Sequence, residues 1–316
     1  MKAMNQKIPE QWLEPLNLSN GIILPHRIMP GPLHGVMNPL FCRTMNELNI
    51  FDYWITPFIQ LSTAPPKLKT LSKKISIYLA GFKPGRHLIV QLLGSDADII
   101  SETAFRLQQL NAVGVNLNFA CPSNKVLKSG NGGALLQDVS KMREIILKIK
   151  EKVPKLSISV KVRSGYESSD EMNNFLPKLS DLPVDFIMFH FRTIKEKYTM
   201  VEKRIERIKK AVCLCGATPL IASGDIFTKT DAVQIGYLTK CDGICIARGL
   251  MNNPFLPLIL KEEINEGNDQ YNKRYFYNQM NNIAKSFPEY RGKRYFIEIA
   301  KMMWGINSKE FKSLNK

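Results

Sequence analysis

The chain is poor in the groups that most often announce chemistry. It has 4 His in 316 residues, and none stands at a zinc-finger distance from a cysteine pair. Its 6 Cys form no C-x2-C pair, so neither a zinc ribbon nor a dithiol redox motif is present, and no metal site is expected. Reduced thiols in a cytoplasmic protein fit this usage best. No GxGxxG follows the first strand pattern, which counts against a dinucleotide-binding half. No apolar run approaches the ~18 residues that span a bilayer, so no membrane partner is expected. The first 18 residues lack the apolar core of a leader. Acids are also scarce, with 28 Asp and Glu against 44 Lys and Arg, a net charge of +16. A surplus of that sign concentrates polyanions and speeds their encounter. It points to nucleic acid as the partner, with lysine-rich solvated faces as the alternative.

Short apolar runs with strand character lie at 27–31, 53–58, 88–93, 114–118, 157–162, 186–190, 219–222 and 243–246. Helical patterns separate them, for example at 98–111, 140–152, 201–214 and 229–238. Eight strands with crossover helices make an α/β protein whose most economical closure is a (β/α)8 TIM barrel, with a doubly wound sheet as competitor. In such barrels the site lies at the C-terminal strand ends. Chemistry-capable residues fall at those ends here: Gln91; Asn118 and Cys121; Lys161 and Arg163; His190, Arg192 and Thr193; Ser223-Gly224-Asp225; and Ala247-Arg248-Gly249. The last two suit a mononucleotide phosphate, with Arg248 as its cation and the backbone, not the carboxylate, of Asp225 serving. After Pro254 the strand pattern stops. A division follows into a barrel domain, 1–256, and a small C-terminal helical domain, 257–316, in which Lys and Arg alternate with Tyr275, Tyr277, Tyr290, Tyr295 and Trp304. Such interleaving suits RNA backbones and base stacking, and the aromatics can also be the core of an amphipathic bundle; both can hold at once.

The most distinctive stretch is Val115-Asn116-Leu117-Asn118-Phe119-Ala120-Cys121-Pro122-Ser123, followed by Gly130-Asn131-Gly132-Gly133-Ala134-Leu135-Leu136. It reads as a buried strand, a cysteine presented before a proline, and a glycine-rich turn. The turn lacks the Lys-Ser/Thr of a Walker loop and reads as a mobile loop able to fold over substrate. A free thiol, with an ordinary pKa of about 8.5, is mostly protonated near neutrality, so Cys121 can act as a general acid toward a developing carbanion. Lys161, a lone charge at a strand end, suits the N1–C2=O edge of a flavin or a salt bridge to a barrel carboxylate.

These residues resemble the signature of the tRNA-dihydrouridine synthases. Further segments agree in order: 27–36 around Pro30-Gly31-Pro32-Leu33, 90–94 around Gln91, Ser159-Val160-Lys161-Val162-Arg163-Ser164-Gly165, His190-x-Arg192-Thr193 with Tyr198, and 244–249. The resemblance covers nearly the whole chain. It implies a bacterial FMN-dependent enzyme that reduces the C5=C6 bond of particular uridines in tRNA with NADPH. Carried over residue by residue, it implies Cys121 as the acid at C5, with Asn118, Arg163 and Tyr198 around the uracil. Pro32, Leu33, Gln91, Lys161 and His190 would hold the flavin ring, and Ser223, Gly224, Asp225, Ala247 and Arg248 would lie about its phosphate. Leu33, Pro57, Ala120, Phe191, Ser223 and Ala247 depart from the family pattern. Two other readings stay open: a flavin barrel acting on a free pyrimidine, similar to dihydroorotate dehydrogenases, and a tRNA-binding protein without catalysis. A monomer is expected, and the sequence does not select the uridine or distinguish NADPH from NADH.

Overall fold

The computed structural model describes residues 7–268 and 270–314. The expectation about a leader, which starts at Met1, lies partly outside them, as do the last two residues of the expected helical domain.

Eight parallel strands form one sheet: β1 (Ile28–Pro30), β2 (Tyr53–Ile55), β3 (His87–Leu93), β4 (Gly114–Phe119), β5 (Ser157–Arg163), β6 (Phe186–His190), β7 (Leu220–Ser223) and β8 (Gly243–Ile246). Successive strands pair from β2 through β8, and β8 pairs with β1. The remaining seam, between β1 and β2, is bridged by Tyr53, whose hydroxyl reaches the carbonyls of His26 at 2.9 Å and Ile28 at 3.4 Å. This is a nearly closed TIM barrel, as the strand count implies.

Period-two alternation decides what faces inward. Along β5, Ile158, Val160 and Val162 join the layer under the outer helices, leaving Ser159, Lys161 and Arg163 for the interior. On β4 the same alternation sends Val115, Leu117 and Phe119 outward and keeps Asn116 and Asn118 inside. The lower interior is apolar, built of Met29, Tyr53, Ile55, Ile89, Phe186, Met188, Ile221 and Cys245. A hairpin of Leu16–Asn17 and Ile23–Leu24 brings Leu16, Leu18 and Leu24 into that same cluster. The barrel is therefore a packed core below and a polar cup above.

The crossover helices are α1 (Pro39–Glu47), α2 (Leu68–Leu79), α3 (Ala97–Gln109), α4 (Val139–Lys152), α5 (Met172–Ser180), α6 (Arg204–Leu214) and α7 (Lys229–Thr239). Side-chain caps start several of them: Asp96 accepts from Ile99 N–H, Asp138 from Lys141 N–H, and Thr228 forms a capping box with Asp231.

Two boundaries differ by three residues from those the sequence implies. The run 53–58 is not one strand. It breaks after Ile55, and a two-residue strand, Ile59–Gln60, rejoins β3 opposite Leu92 and Leu93. Pro57 lies in the gap, and without an N–H it cannot continue a ladder. The helix expected at 201–214 begins only at Arg204.

The tail contains α8 (Lys273–Ser286), α9 (Arg294–Trp304) and α10 (Lys309–Leu314). It packs against α1: Phe41 meets Phe276, the Arg43 guanidinium lies 3.3 Å from the Phe287 ring centroid, and Asn38 donates to the Tyr295 carbonyl. The tail aromatics mostly meet each other, Tyr277 with Phe296 and Trp304, and Tyr290 with Phe287 and Tyr295. The aromatics thus pack within the tail, Tyr290 buried and Tyr275, Tyr277, Tyr295 and Trp304 half-buried against its core. Arg274, Arg291, Lys293, Arg294 and Lys301 are exposed.

Candidate active site

The cup at the C-terminal ends of the strands holds a cavity enclosing about 240 Å³. Its wall includes Pro32, Leu33, Asn118, Cys121, Lys161, Arg163, His190, Tyr198, Gly224, Asp225, Ala247 and Arg248. Five of the six strand ends that the sequence suggests, those of β4 to β8, thus converge, joined by Pro32 and Leu33 after β1. Gln91 and Ser223 do not line it. Gln91 is fully buried, donates to Asn116 Oδ1 at 2.7 Å and accepts from Asn118 Nδ2 at 2.8 Å. Asn116 in turn donates to Ser159 Oγ at 2.8 Å. A chain of amides therefore fixes the orientation of Asn118 from below, and Gln91 acts on the cup through Asn118. Ser223 is buried below the rim, beside Cys245 in the ladder.

Cys121 is half-buried on the cavity wall. Its shelf is stiff. Asn118 Oδ1 accepts from Ala120 N–H, and Gly133 N–H donates to the Cys121 carbonyl at 3.1 Å. The glycine-rich stretch expected to be a mobile flap is instead a buried 3-10 turn, Gly132–Gln137. Gly132 has φ +58°, and a Cβ there would approach Cys121 Cβ to 2.9 Å; a Cβ on Gly133 would strike Ile194. These glycines allow close packing beneath the cysteine.

Two buried arginines staple the neighbouring loop. Arg163, 3% exposed, donates through Nε to the Ala120 carbonyl at 3.0 Å and through Nη1 to the carbonyls of Thr193 and Lys197 at 2.9 and 2.8 Å. Burial lowers its pKa to about 10. The resemblance places Arg163 beside the substrate; the structure puts it on the wall but engages three of its interactions with backbone. Arg192, to which the sequence alone assigns no role, donates to the Thr199 carbonyl and to Asp225 Oδ2, both at 2.5 Å. Between these staples Tyr198 stands 58% exposed, with the guanidiniums of Arg163 and Arg248 at 5.4 and 5.0 Å from its ring centroid.

The Asp225 carboxylate is thus engaged rather than idle. Its second oxygen accepts from Arg248 at 2.6 Å. Arg248 faces the cavity as expected, but it is shared with Asp225. Gly224 at φ +109° and Asp225 at φ +50° turn the chain sharply here. A Cβ on Gly224 would lie 2.7 Å from the Phe191 ring, so the bulky Phe191 and this glycine are complementary. The N–H groups of Gly224, Asp225, Ala247 and Arg248 donate to no acceptor among the described residues.

Lys161 reaches the cavity with no ion pair among the described residues, so the salt-bridge alternative does not hold. Burial lowers its pKa to about 8. His190 is buried and accepts the Arg192 N–H at Nδ1. Burial and the surrounding Arg163 and Lys161 charges hold its pKa well below the ordinary imidazole value, so it is neutral, with its proton on Nε2. The residues fit a flavin mononucleotide: an unpaired ammonium for the electron-rich edge of the ring, and free N–H groups with Arg248 for a phosphate. His34 and Phe58, stacked at 4.4 Å and 9°, also line the cavity. His34 belongs to the 27–36 segment and Phe58 closes the 53–58 run, but neither is among the site residues named from the sequence.

The family model described as dihydrouridine synthase matches residues 29–315. A tRNA-dihydrouridine(16) synthase of Vibrio vulnificus is 30% identical over 249 residues, 74% of each chain. The protein of that name from Escherichia coli K12 is 30% identical over 241 residues, 74% of this chain and 75% of the other. Among solved structures, histamine dehydrogenase from Rhizobium superposes with a TM-score of 0.64 at 15% identity, covering 80% of this chain and 48% of that one. The old yellow enzyme of Trypanosoma cruzi gives 0.58 at 11%, covering 85% and 98%. At such identities these two speak for the barrel alone.

Proposed function

This chain belongs to the dihydrouridine synthase family, and from that premise we propose how its cup reduces uridine in tRNA to 5,6-dihydrouridine, as a flavin-dependent oxidoreductase. The observation that carries the reading is the pairing of Cys121 with the unpaired Lys161 across one cavity. FMN, when bound and reduced by NADPH, supplies the hydride that adds at C6 of the uracil.

The side chains do the rest. Lys161 and the neutral His190 would hold the flavin ring, where the ammonium would favour its anionic reduced form. Pro32 and Leu33 pack against it. The backbone at Gly224, Asp225, Ala247 and Arg248 takes the phosphate, with the Arg248 guanidinium as its cation. Asn118, held by Gln91, and Tyr198 position the uracil, and Arg163 keeps the shelf of Cys121 and the loop of Tyr198 in register. As C5 gains electron density, Cys121 Sγ–H donates its proton there. The base must leave its stack to arrive, at a cost of ~a few kcal/mol that phosphate contacts offset.

The relatives named for position 16 support uridine 16 as the target. Incubation with NADPH and unmodified tRNA, followed by nuclease digestion and mass spectrometry, tests this. Dihydrouridine confined to the fragment holding position 16 is the expected result. Its appearance at another position would move the target, and its absence from every fragment with flavin bound would overturn the reading.

A further inference from the structure

A second cavity of about 540 Å³ lies beside the first, and the stacked pair His34 and Phe58 lines both. Its far wall comes from α2, which contributes Lys73, Lys74 and Tyr78. Neither lysine makes an ion pair among the described residues. The surrounding sequence is one-signed: no Asp or Glu occurs between Asp52 and Asp96, while the stretch holds Lys67, Lys69, Lys73, Lys74, Lys83 and Arg86. A volume in the ~300–1,000 Å³ range, an apolar and aromatic side, and free ammonium groups at the rim describe a site for a small phosphorylated ligand with a planar ring.

Resting on the function proposed above, we propose that this cavity holds the adenosine-phosphate half of the reductant, with Lys73 and Lys74 on its phosphates. The shared wall carries the argument. A nicotinamide dinucleotide must place its ring in the first cavity while its other half lies elsewhere; the second cavity adjoins it through the His34–Phe58 pair, whereas the space past Phe227 and Arg248 is lined by Met251, Asn252 and Met302 and has no lysine. The dinucleotide gives up a hydride, two electrons and one proton, to the flavin and leaves as oxidised nicotinamide. The site therefore has to release a phosphorylated product each turnover, which suits exposed lysines better than a buried clamp. The alternative occupant of a basic cavity here is a stretch of the RNA backbone.

The test uses the flavin-loaded protein and the double substitution Lys73→Ala with Lys74→Ala. Calorimetric titration with adenosine 2′,5′-bisphosphate, a fragment that cannot reduce flavin, should show binding to the parent protein weakened about tenfold or more in the variant. The KM for NADPH should rise by a similar factor with kcat and flavin content unchanged. Chemically reduced variant should be reoxidised by tRNA at the parental rate. A tRNA affinity that falls while the bisphosphate binds equally to both proteins would assign the cavity to RNA and overturn the proposal, as would no change in either. Failure of tRNA to reoxidise the chemically reduced parent protein would instead contradict the function, separately from the cavity.

Discussion

In the proposed function Cys121 is the residue on which the chemistry turns. Replacing it by Ala should slow turnover on tRNA by roughly 10²–10⁴, the usual contribution of a positioned general acid, with flavin retained. Unchanged turnover would remove it from the mechanism. Lys161 makes a pH prediction. In the ligand-free cup its pKa is about 8 because burial disfavours the ammonium. Below that pH the ammonium is present and favours an anion; above it a proton must be taken up on binding. Affinity for the reduced, anionic flavin should therefore fall by about tenfold per pH unit above 8, and Lys161→Met should abolish that slope. His190 works in the opposite range. Its folded pKa lies below its unfolded value, so the unfolded chain binds the extra proton, and stability should decline as pH falls below about 6.5. His190→Gln should blunt that decline in a urea titration series.

At the level of elements, the strand ends were legible because apolar runs close on polar residues, Gln91, Asn118, Lys161 with Arg163, and His190. Asn118, Lys161 and His190 could be placed in one cup because a parallel barrel gathers its C-terminal strand ends. What stayed hidden was which inward groups are used up by each other. Gln91 reads like a ligand, yet both ends of its amide meet neighbouring amides. Arg163 reads like a charge for substrate, yet with Arg192 it clamps the 193–199 loop to the Cys121 shelf and to Asp225. Such partnerships are between residues far apart in sequence, and no local pattern encodes them. The turn at Gly132 and Gly133 misled for a related reason, since glycine that permits close packing looks like glycine that permits motion. Two substitutions check this account. Gly133→Ala should destabilise the fold by ~1–3 kcal/mol, as overpacking does, visible as a lowered urea midpoint. Arg163→Lys should fail to restore the activity lost in Arg163→Met, because an ammonium cannot span the three carbonyls that the planar guanidinium reaches.

Over the whole molecule the net charge of +16 and the tail divide the labour of recognition. The tail aromatics hold its helices together and Arg291 donates to the Ala284 and Lys285 carbonyls, so under the proposed function the exposed Arg274, Lys293, Arg294 and Lys301 would meet the RNA. Neutralising those four should weaken tRNA binding across sequences. It should also flatten the dependence of log K on log salt, by close to one unit for each phosphate that the protein no longer neutralises. Flavin absorbance and the urea midpoint should stay near parental values. Binding energy gathered far from the cup is what places one base beside Cys121, since an isolated uracil offers too little.

The most direct measurement follows the visible spectrum of the purified protein under anaerobic conditions, first with NADPH and then with unmodified tRNA. Flavin absorbance that bleaches with NADPH and returns on adding tRNA, but not on adding free uracil or orotate, is the predicted result. A flavin that returns only with the free pyrimidine, or a protein that holds no flavin after reconstitution, would contradict the account.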